Sequence, residues 1–264
     1  MSYDEIRDEV ESGDYGILNV LEMDDGVVES VNMPSLPIDS INLFDKNQVD
    51  FYKDNKKVQY AMNYLKNRRL DTAINKPDAY YISLKDRTHK NRLIIPFKDD
   101  SGKIVFYQSR KVFEWDEKSG YISKNGGNKT LFGFDKVDME LGSVYIFEGP
   151  LDATFVKNGI GLGGINKGEV NFTPDQEVQM NSLLSVEKIW MMDNQWMDET
   201  AREKTKILIK NKERVFIWPK SLKYKDFNQM CISERIDRVS HDFINDHLYR
   251  GLHAEVKMKE FKHF

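Results

Sequence analysis

The sequence predicts an α/β fold, in which a parallel sheet flanked by helices follows a smaller α+β subdomain and precedes a helical C-terminal tail. Three observations predict it. In the second half of the chain, short runs rich in β-branched and aromatic residues alternate with segments of helical character, a pattern typical of βαβ units. Acidic residues follow the ends of three of these runs. Nearer the N-terminus, two strand-like runs flank a polar turn.

Composition and pattern divide the chain into four regions. Residues 1–54 form an acidic leader or linker, residues 55–140 the α+β subdomain, residues 141–232 the parallel-sheet domain and residues 233–264 the helical tail. The leader holds 14 Asp and Glu against three Lys and Arg, whereas the rest of the chain carries a net charge of +7, which the total of −4 conceals. A basic body of this kind can bind a polyanion.

Several classes of protein are excluded by what the sequence lacks. No apolar run has the length of a membrane span or the form of a signal peptide, so we expect a cytoplasmic protein without membrane partners. Cys231 is the only cysteine, which excludes an internal disulfide and a Cys-rich zinc module in this chain. No Walker loop, Ser-His-Asp set or H-E-x-x-H motif occurs, so those chemistries have no candidate residues.

The upstream subdomain is predicted to contain a hairpin with one helix before it. Residues 93–97 and 104–110 have the pattern of two strands, and a D-D-S-G turn joins them. Arg92 begins the hairpin, while Arg110 and Lys111 end it. These three cations either bind a polyanion or simply keep an edge strand soluble.

Downstream of residue 140 the predicted elements alternate regularly. In chain order they are a strand at 144–147, a helix at 151–157, a Gly-rich strand at 159–164, a helix capped by Thr173 and begun by Pro174, a strand at 188–192, a helix at 198–211 and a strand at 214–218. One or two amphipathic helices are predicted over 234–262. Because strands alternate with helices, the strands are expected to run parallel.

Acidic residues occupy corresponding places in this pattern. Glu148, Asp193 and Asp226 each end or follow a predicted strand, and Asp152 falls in the first turn of the helix after Glu148. The carboxyl ends of parallel strands share one edge of a sheet, so these side chains can converge. Converging carboxylates repel one another unless they share a cation, and Mg²⁺ prefers such hard oxygen ligands. The site suits two-metal phosphoryl or nucleotidyl transfer, and the alternative is a rim of solvated acids.

The motifs and their order resemble those of DNA primases. A Glu-Gly pair after one strand, with an Asp-x-x motif after a later strand, is similar to the Toprim domain of primases, topoisomerases and some nucleases. Residues 91–110 resemble the hairpin that precedes Toprim in DnaG-type primases. Three further segments look closest to primases of T-even-like tailed bacteriophages: 148–160, 192–195 and 225–230. The resemblance covers about residues 56–264.

This resemblance implies a primase catalytic core, in which a 3′-hydroxyl attacks the α-phosphate of a ribonucleoside triphosphate on a single-stranded DNA template, with Mg²⁺ or Mn²⁺ and a replicative helicase as partner. It makes Glu148 the central metal ligand and a candidate base, with Asp193, Asp226 and Asp152 as further ligands. Lys225 would neutralise phosphate beside the metals. Four cations would contact template or nucleotide: Arg92, Arg110, Lys111 and Lys129.

Two departures from the family pattern leave alternatives open. Gln195 stands where the second acid of a D-x-D motif belongs, so one metal ligand is either its neutral amide or another group such as Asp198. The Cys-rich zinc module of these primases is absent from the sequence, so it lies on a separate polypeptide, has been removed or is not needed. The same acids suit a Toprim nuclease, and the departures suit a non-catalytic module that recruits other proteins. A primase core is the main prediction, working in the host cytoplasm if the protein belongs to a phage.

Overall fold

The computed structural model describes residues 36–126, 129–164 and 172–263. Of the predicted acidic leader, 1–54, residues 1–35 therefore lie outside the described residues. The chain divides into two compact units. The first contains the described residues up to Ala61, together with Ala79–Pro96 and 104–126, and the second contains Met62–Asp78, Phe97–Lys103 and the described residues from Lys129 onward.

The first sheet has five strands in the order β1-β2-β3-β4-β5. They are β1 (Ile41–Asn42), β2 (Tyr81–Ile82), β3 (Leu93–Lys98), β4 (Ile104–Arg110) and β5 (Tyr121–Ser123). β1 pairs antiparallel with β2, β2 with β3, and β4 with β5. Two helices lie between β1 and β2 in the chain, α1 (Lys46–Phe51) and α2 (Lys56–Asn67), and α2 confirms the predicted upstream helix.

The predicted hairpin is present as β3 and β4, which are neighbours in the sheet. Its turn is closed around Asp99, whose backbone N–H donates to the Lys103 carbonyl at 2.9 Å. The Asp99 carboxylate accepts from the N–H groups of Ser101 and Lys103, each at 3.0 Å. Gly102 has a φ of +81°, a left-handed conformation that glycine adopts without a side-chain clash. Local turn chemistry thus explains why this hairpin was predictable.

The second sheet has five strands in the order β10-β9-β8-β6-β7. They are β6 (Ser143–Phe147), β7 (Gly159–Gly161), β8 (Glu187–Met191), β9 (Arg214–Phe216) and β10 (Leu248–Tyr249). The pairs β6–β7, β6–β8 and β8–β9 are parallel, which confirms the predicted parallel sheet. β10 pairs antiparallel with β9, so the tail that was predicted to be helical also contributes an edge strand.

Six helices of the described residues accompany the second sheet. They are α3 (Pro150–Ala153), α4 (Pro174–Ser182), α5 (Glu199–Lys210), α6 (Phe227–Glu234), α7 (His241–Asn245) and α8 (Gly251–Met258), with short 3₁₀ turns at Phe134–Lys136, Met139–Leu141 and Lys259–His263. Thr173 caps α4 in a reciprocal capping box and Pro174 begins the helix, as the sequence predicts. Among all the residues that the structure describes, no helix is long and apolar enough to cross a membrane.

The predicted helix at 151–157 and the strand at 159–164 are both shorter in the structure. α3 ends at Ala153, and the chain turns at Asn158, which has a left-handed φ of +61°, just before β7 begins. At Gly159 a Cβ would lie only 2.4 Å from the Ala153 carbonyl oxygen, so only glycine allows this close return. The tight turn keeps the end of β6 and the start of α3 close to β7.

The core of the second unit lies around its parallel strands. Val144, Ile146, Ile160, Val215 and Ile217 are fully buried. Near-continuous apolar burial is typical of parallel strands that are covered on both faces. Polar side chains are therefore confined to the strand ends, where the predicted site residues lie.

Candidate active site

Four carboxylates lie at the carboxyl edge of the second sheet. Glu148 directly follows β6, Asp152 lies in the first turn of α3, and Asp193 follows β8 by two residues. Because Phe147 of β6 pairs with Met191 of β8, the ends of these two neighbouring strands lie side by side. Asp226 is the N-cap residue of α6, after β9. The structure therefore brings together the four acids that the sequence predicted to converge.

The electrostatics of the cluster show that its members interact. Burial, together with the negative charges of Asp226 and Glu148, raises the pKa of Asp193 to about 7, while Lys225 opposes the shift. The pKa of Asp152 is raised well above its usual range, first by burial and then by Asp226 and Asp193. Both carboxyls thus experience repulsion that a shared cation would relieve.

Asp226 is held in place by the helix that it caps. Its carboxylate accepts the backbone N–H of Gln229 at 2.6 Å, which satisfies one of the unpaired donors of the helix start. The preceding residue, Lys225, is exposed, and its backbone N–H donates to the Gln229 side chain at 2.5 Å. One turn of backbone therefore presents an acid and a cation beside each other.

Asn194 connects the end of β8 to the loop that leads to Asp226, a role that the sequence reasoning missed. Its buried amide donates to the carbonyls of Leu222 and Tyr224 at 3.2 and 2.7 Å, and its backbone N–H donates to the Lys225 carbonyl at 2.8 Å. Since Asn194 directly follows Asp193, these bonds fix the position of Asp193 relative to the loop. In the sequence, the only indication of this role is that Asn194 is the neighbour of Asp193.

Asn228 plays a similar part for Asp152. The backbone N–H of Asn228 donates to the Asp152 carboxylate at 2.9 Å. Its buried side chain accepts from the Arg68 guanidinium at 2.6 Å and donates to the Arg68 carbonyl at 3.2 Å. Both the N–H of Asn228 and the charge of Arg68 oppose the rise in the pKa of Asp152. Partners this distant in sequence leave no local pattern to detect.

Lys204 is the partner of Glu148 and was not predicted. Its ammonium Nζ lies 2.6 Å from Glu148 Oε2, and the residue is only 9% exposed. Lys204 lies on the buried face of α5, between Ala201 and Leu208. A lysine within the apolar stripe of an amphipathic helix was the signal that could have revealed it.

Gln195 does not join the carboxylate cluster, which corrects its predicted role as a metal ligand. The side chain is fully buried, and its amide donates to Thr205 Oγ1 at 3.1 Å and to the Phe216 carbonyl at 3.0 Å. Its carbonyl oxygen accepts the Trp218 N–H at 3.1 Å. These hydrogen bonds connect the segment after β8 to α5 and to the end of β9, so the Gln195 amide has a structural role.

Arg92 is likewise a structural residue, which corrects its predicted contact with template or nucleotide. Its side chain is only 1% exposed and forms an ion pair with Asp116. The guanidinium also donates to Ser109 Oγ at 3.1 Å and to the carbonyls of Ser119 and Gly120 at 2.6 and 3.0 Å. With its donors occupied inside the first unit, Arg92 has no surface to offer a polyanion.

The other predicted cations lie in different units. In the first unit, the Arg110 guanidinium lies over the Tyr121 ring, 4.6 Å from its centroid, and Lys111 directly follows β4. Lys129 belongs to the second unit, where burial lowers its pKa and its carbonyl accepts from Thr173 Oγ1 at 2.6 Å. All three side chains are half-buried.

The chemistry of the cluster fits a divalent cation of the hard type. Its donors are carboxylate oxygens, and the repulsion that raises the pKa values of Asp152 and Asp193 is what such a cation relieves. Across the described ranges, no group of three or more His, Cys, Asp or Glu side chains is arranged ready to hold a metal ion. Glu148 is instead engaged by the Lys204 ammonium.

Comparison with known proteins gives one curated relative and several similar folds. The chain is 27% identical over 182 residues to the DNA primase of Enterobacteria phage T4, which covers 67% of this chain and 49% of the relative. The chain thus spans about half the length of that primase. No family model matches the chain.

Among solved structures, the RNA polymerase domain of Mycobacterium tuberculosis primase DnaG is similar, with a TM-score of 0.54 and 14% identity over 81% of this chain and 84% of that domain. The zinc-binding and RNA polymerase domains of Aquifex aeolicus primase give a TM-score of 0.46 and 18% identity, over 83% of this chain and 53% of that one. The predicted fold and resemblance are confirmed: the chain has the fold of a DnaG-type primase RNA polymerase domain and is similar in sequence to a phage primase.

Proposed function

We propose that this chain is the catalytic portion of a DNA primase, which joins ribonucleotides into short RNA primers on a single-stranded DNA template. The observation that carries the proposal is the convergence of Glu148, Asp152, Asp193 and Asp226 at the carboxyl edge of a parallel sheet. That edge is where open α/β sheets place their sites. Similarity to a phage primase supports this chemistry over the others that clustered acids permit.

In this proposal the four carboxylates hold Mg²⁺ or Mn²⁺. The bound ion would neutralise the triphosphate and stabilise charge on the leaving oxygen. Glu148 would serve as the central ligand, and Lys204 would keep its carboxylate oriented until the cation arrives. Lys225, which is exposed beside Asp226, would attract the phosphates of the incoming nucleotide.

The remaining residues of the site act as supports in this proposal. Asn194 and Asn228 would hold Asp193 and Asp152 at fixed positions, because each amide ties one acid to a separate segment of the chain. A site that is held in this way loses little freedom when substrate binds. Sequence changes at either amide would therefore affect catalysis through the position of the acid.

We also propose partners and a domain assignment that follow from the resemblance to primases. Residues 141–232 would be the Toprim domain, 55–140 the N-terminal subdomain of the core, and 233–264 its tail. Arg110, Lys111 and Lys129 would contact template phosphates, each in its own unit. A replicative helicase would be a partner, and a zinc-binding function, where one is needed, would come from a separate module. The protein would work in the cytoplasm, which is that of the host if the protein belongs to a phage.

Primer synthesis on single-stranded DNA with labelled ribonucleoside triphosphates tests the proposal. Glu148→Gln, Asp193→Asn and Asp226→Asn should each remove synthesis, because each neutralises one ligand. Asn caps a helix about as well as Asp, so Asp226→Asn should keep its fold. Asp138→Asn is the matched control, since Asp138 caps a 3₁₀ turn that precedes β6, away from its carboxyl end. Metal-dependent cutting of DNA without nucleotides, with no primers formed, would contradict the proposal in favour of a nuclease.

A further inference from the structure

The first unit carries three aromatic side chains stacked face to face at its surface. Tyr60 lies on Phe113 with ring centroids 4.5 Å apart and planes at 22°, and Phe113 lies on Trp115 at 5.0 Å and 27°. Tyr60 is 44% exposed and Trp115 is 62% exposed. We call this set, Tyr60, Phe113 and Trp115, the stacking platform. Exposed aromatic rings in a row are unusual on a surface unless they bind something.

Buried polar contacts hold the segment that carries Phe113 and Trp115. Arg92 forms an ion pair with Asp116 and donates to the carbonyls of Ser119 and Gly120. Lys118 donates to the carbonyl of Thr88 at 2.9 Å. The buried guanidinium, which does not reach the surface itself, thus connects the loop between β4 and β5 to the start of β3. A platform that is held in advance costs little conformational entropy when a ligand binds.

We propose that the stacking platform binds the bases of single-stranded DNA, so that an unpaired base continues the ring series on the exposed face of Trp115. Flat, nearly parallel rings are what base stacking requires, and every base offers such a face. Phe51, another exposed ring of this unit, meets the half-buried Tyr52 edge to face at 81° and offers no comparable surface. The platform therefore has the geometry of a base-binding site, which scattered apolar exposure lacks.

Both cations and anions lie near the platform, so charge alone would contribute little to its binding of a nucleic acid. Lys56 lies one helical turn before Tyr60 on α2 and is exposed, and Lys111 precedes Phe113 by two residues. Glu114 and Glu117, exposed in the same loop, offset these cations locally. Stacking should therefore supply most of the platform's contribution, while phosphate contacts come from other residues of the chain.

This inference gives the proposed primase a template-binding element outside its carboxylate site, and it rests on that function only for the identity of the DNA. It is tested by titrating the full chain against a fluorescein-labelled oligo(dT) at low salt, without nucleotides or divalent cations. Trp115→Ala and Phe113→Ala should each weaken binding about tenfold, the size expected when one stacked base is lost. Trp115→Tyr should restore most of the affinity, and Phe51→Ala, at an exposed ring outside the platform, should leave it unchanged.

An abasic oligonucleotide of the same length separates stacking from phosphate contact. Wild type and Trp115→Ala should bind the abasic strand equally, because no base remains to stack. The slope of the logarithm of affinity against the logarithm of salt concentration should be the same for both proteins on oligo(dT), because the lost ring makes no phosphate contact.

Three results would contradict the proposal that the platform binds bases. They are no binding of oligo(dT) by the wild type, unchanged oligo(dT) binding by Trp115→Ala, and a loss of affinity in Trp115→Ala that is as large on the abasic strand as on oligo(dT). Unchanged binding by Trp115→Ala would leave a protein partner as the occupant of this surface. Failure of primer synthesis would not affect the result, since the titration involves no catalysis. Conversely, Glu148→Gln should bind oligo(dT) like the wild type even if it makes no primers.

Discussion

The ionised form of Asp193 is destabilised by its surroundings, and single substitutions can measure the effect on the free energy of unfolding. Burial together with the charges of Asp226 and Glu148 raises its pKa to about 7. Between its ordinary pKa and pH 7 the folded protein therefore holds a proton that the unfolded chain releases. The ionised form destabilises the fold, and this cost is fully present above pH 7 and disappears as the pH falls toward 4. Residues placed for catalysis commonly carry such a cost in stability.

Asp193→Asn should therefore raise the thermal stability of the metal-free protein. At pH 7.5 with a chelator, we expect a gain of about 1 kcal/mol, or about 2–4 °C in melting temperature, because one repelling charge is removed. The gain should shrink as the pH is lowered toward 4. Asp138→Asn, at the 3₁₀ turn before β6 and so at the opposite end of that strand from Glu148, should change little at any pH.

Adding Mg²⁺ should reverse the order of stability, because a cation that binds only the folded state stabilises it by mass action. The melting temperature of the wild type should rise with Mg²⁺ concentration and that of Asp193→Asn should respond less. A lower melting temperature for the metal-free variant, or identical responses to Mg²⁺, would contradict the account of Asp193.

His89 gives the first unit a separate dependence on pH. It is buried, and its Nδ1 lies 2.8 Å from Ser109 Oγ. Burial, together with the charges of Arg92 and Lys118, lowers its pKa to about 4, while Asp86 opposes the shift. The unfolded chain takes up a proton near pH 6.5, whereas the folded chain does so only near pH 4. Stability is therefore complete above pH 6.5 and falls as the pH decreases toward 4.

Replacing His89 by Gln should flatten this dependence. Denaturant unfolding of the wild type should show a loss on the order of 2–3 kcal/mol between pH 6.5 and 4 beyond that of His89→Gln, from the size of the pKa change. His253→Gln, at an exposed position, should keep the wild-type profile. Parallel profiles for wild type and His89→Gln would show that another group is responsible.

At the scale of elements, α5 places a cation where the proposed metal is needed. Lys204 pairs with Glu148 at 2.6 Å from the buried face of this helix. An ammonium and a divalent cation compete for the same carboxylate, and the positive charge also repels the incoming ion. If the cluster binds metal as proposed, this helix would therefore set how readily the metal binds.

Lys204→Met should lower the Mg²⁺ concentration needed for half-maximal stabilisation by several-fold, on the order of 1 kcal/mol, because it removes this competition. Methionine keeps the apolar stem that packs on the core, so the fold should persist. Lys206→Met is the control, since Lys206 lies on the same helix and pairs with Glu203 at the surface. A higher Mg²⁺ requirement in Lys204→Met would show that the lysine assists metal binding.

The elements that sequence could predict are those with a local cause. The hairpin was predictable because Asp99 and Gly102 form its turn, and α4 because Thr173 and Pro174 start it. The parallel strands were predictable from alternation alone. β10 was missed because two residues, paired only through tertiary contact with β9, leave no periodic pattern. α3 was overestimated because the turn that ends it depends on the close approach of Gly159.

The same division applies to the candidate site. The strand ends predicted that Glu148, Asp193 and Asp226 would lie at one edge of the sheet, since topology alone brings such positions together. Gln195 and Arg92 were assigned surface chemistry because a residue type does not reveal its burial. Their hydrogen bonds reach partners across the fold, as do those of Asn194 and Asn228.

At the scale of the whole molecule, each unit supplies a different part of the proposed activity. The second unit holds the carboxylate cluster, and the first holds the stacking platform. The charge of the chain agrees with this use, because the body after residue 54 is basic although the total charge is negative. The chain spans about half the length of the T4 primase that it matches, and the proposed partners rest on the resemblance to primases.

The central claim, that the carboxylate cluster joins ribonucleotides on a DNA template, is tested most directly by one paired measurement. The rate of labelled ribonucleotide incorporation on single-stranded DNA with Mg²⁺ should be compared for the wild type and Asp193→Asn, with DNA binding measured on the same samples. We expect alkali-labile products from the wild type, a rate lower by on the order of a hundredfold or more in the variant, and equal DNA binding. Equal rates in the two proteins would contradict the claim.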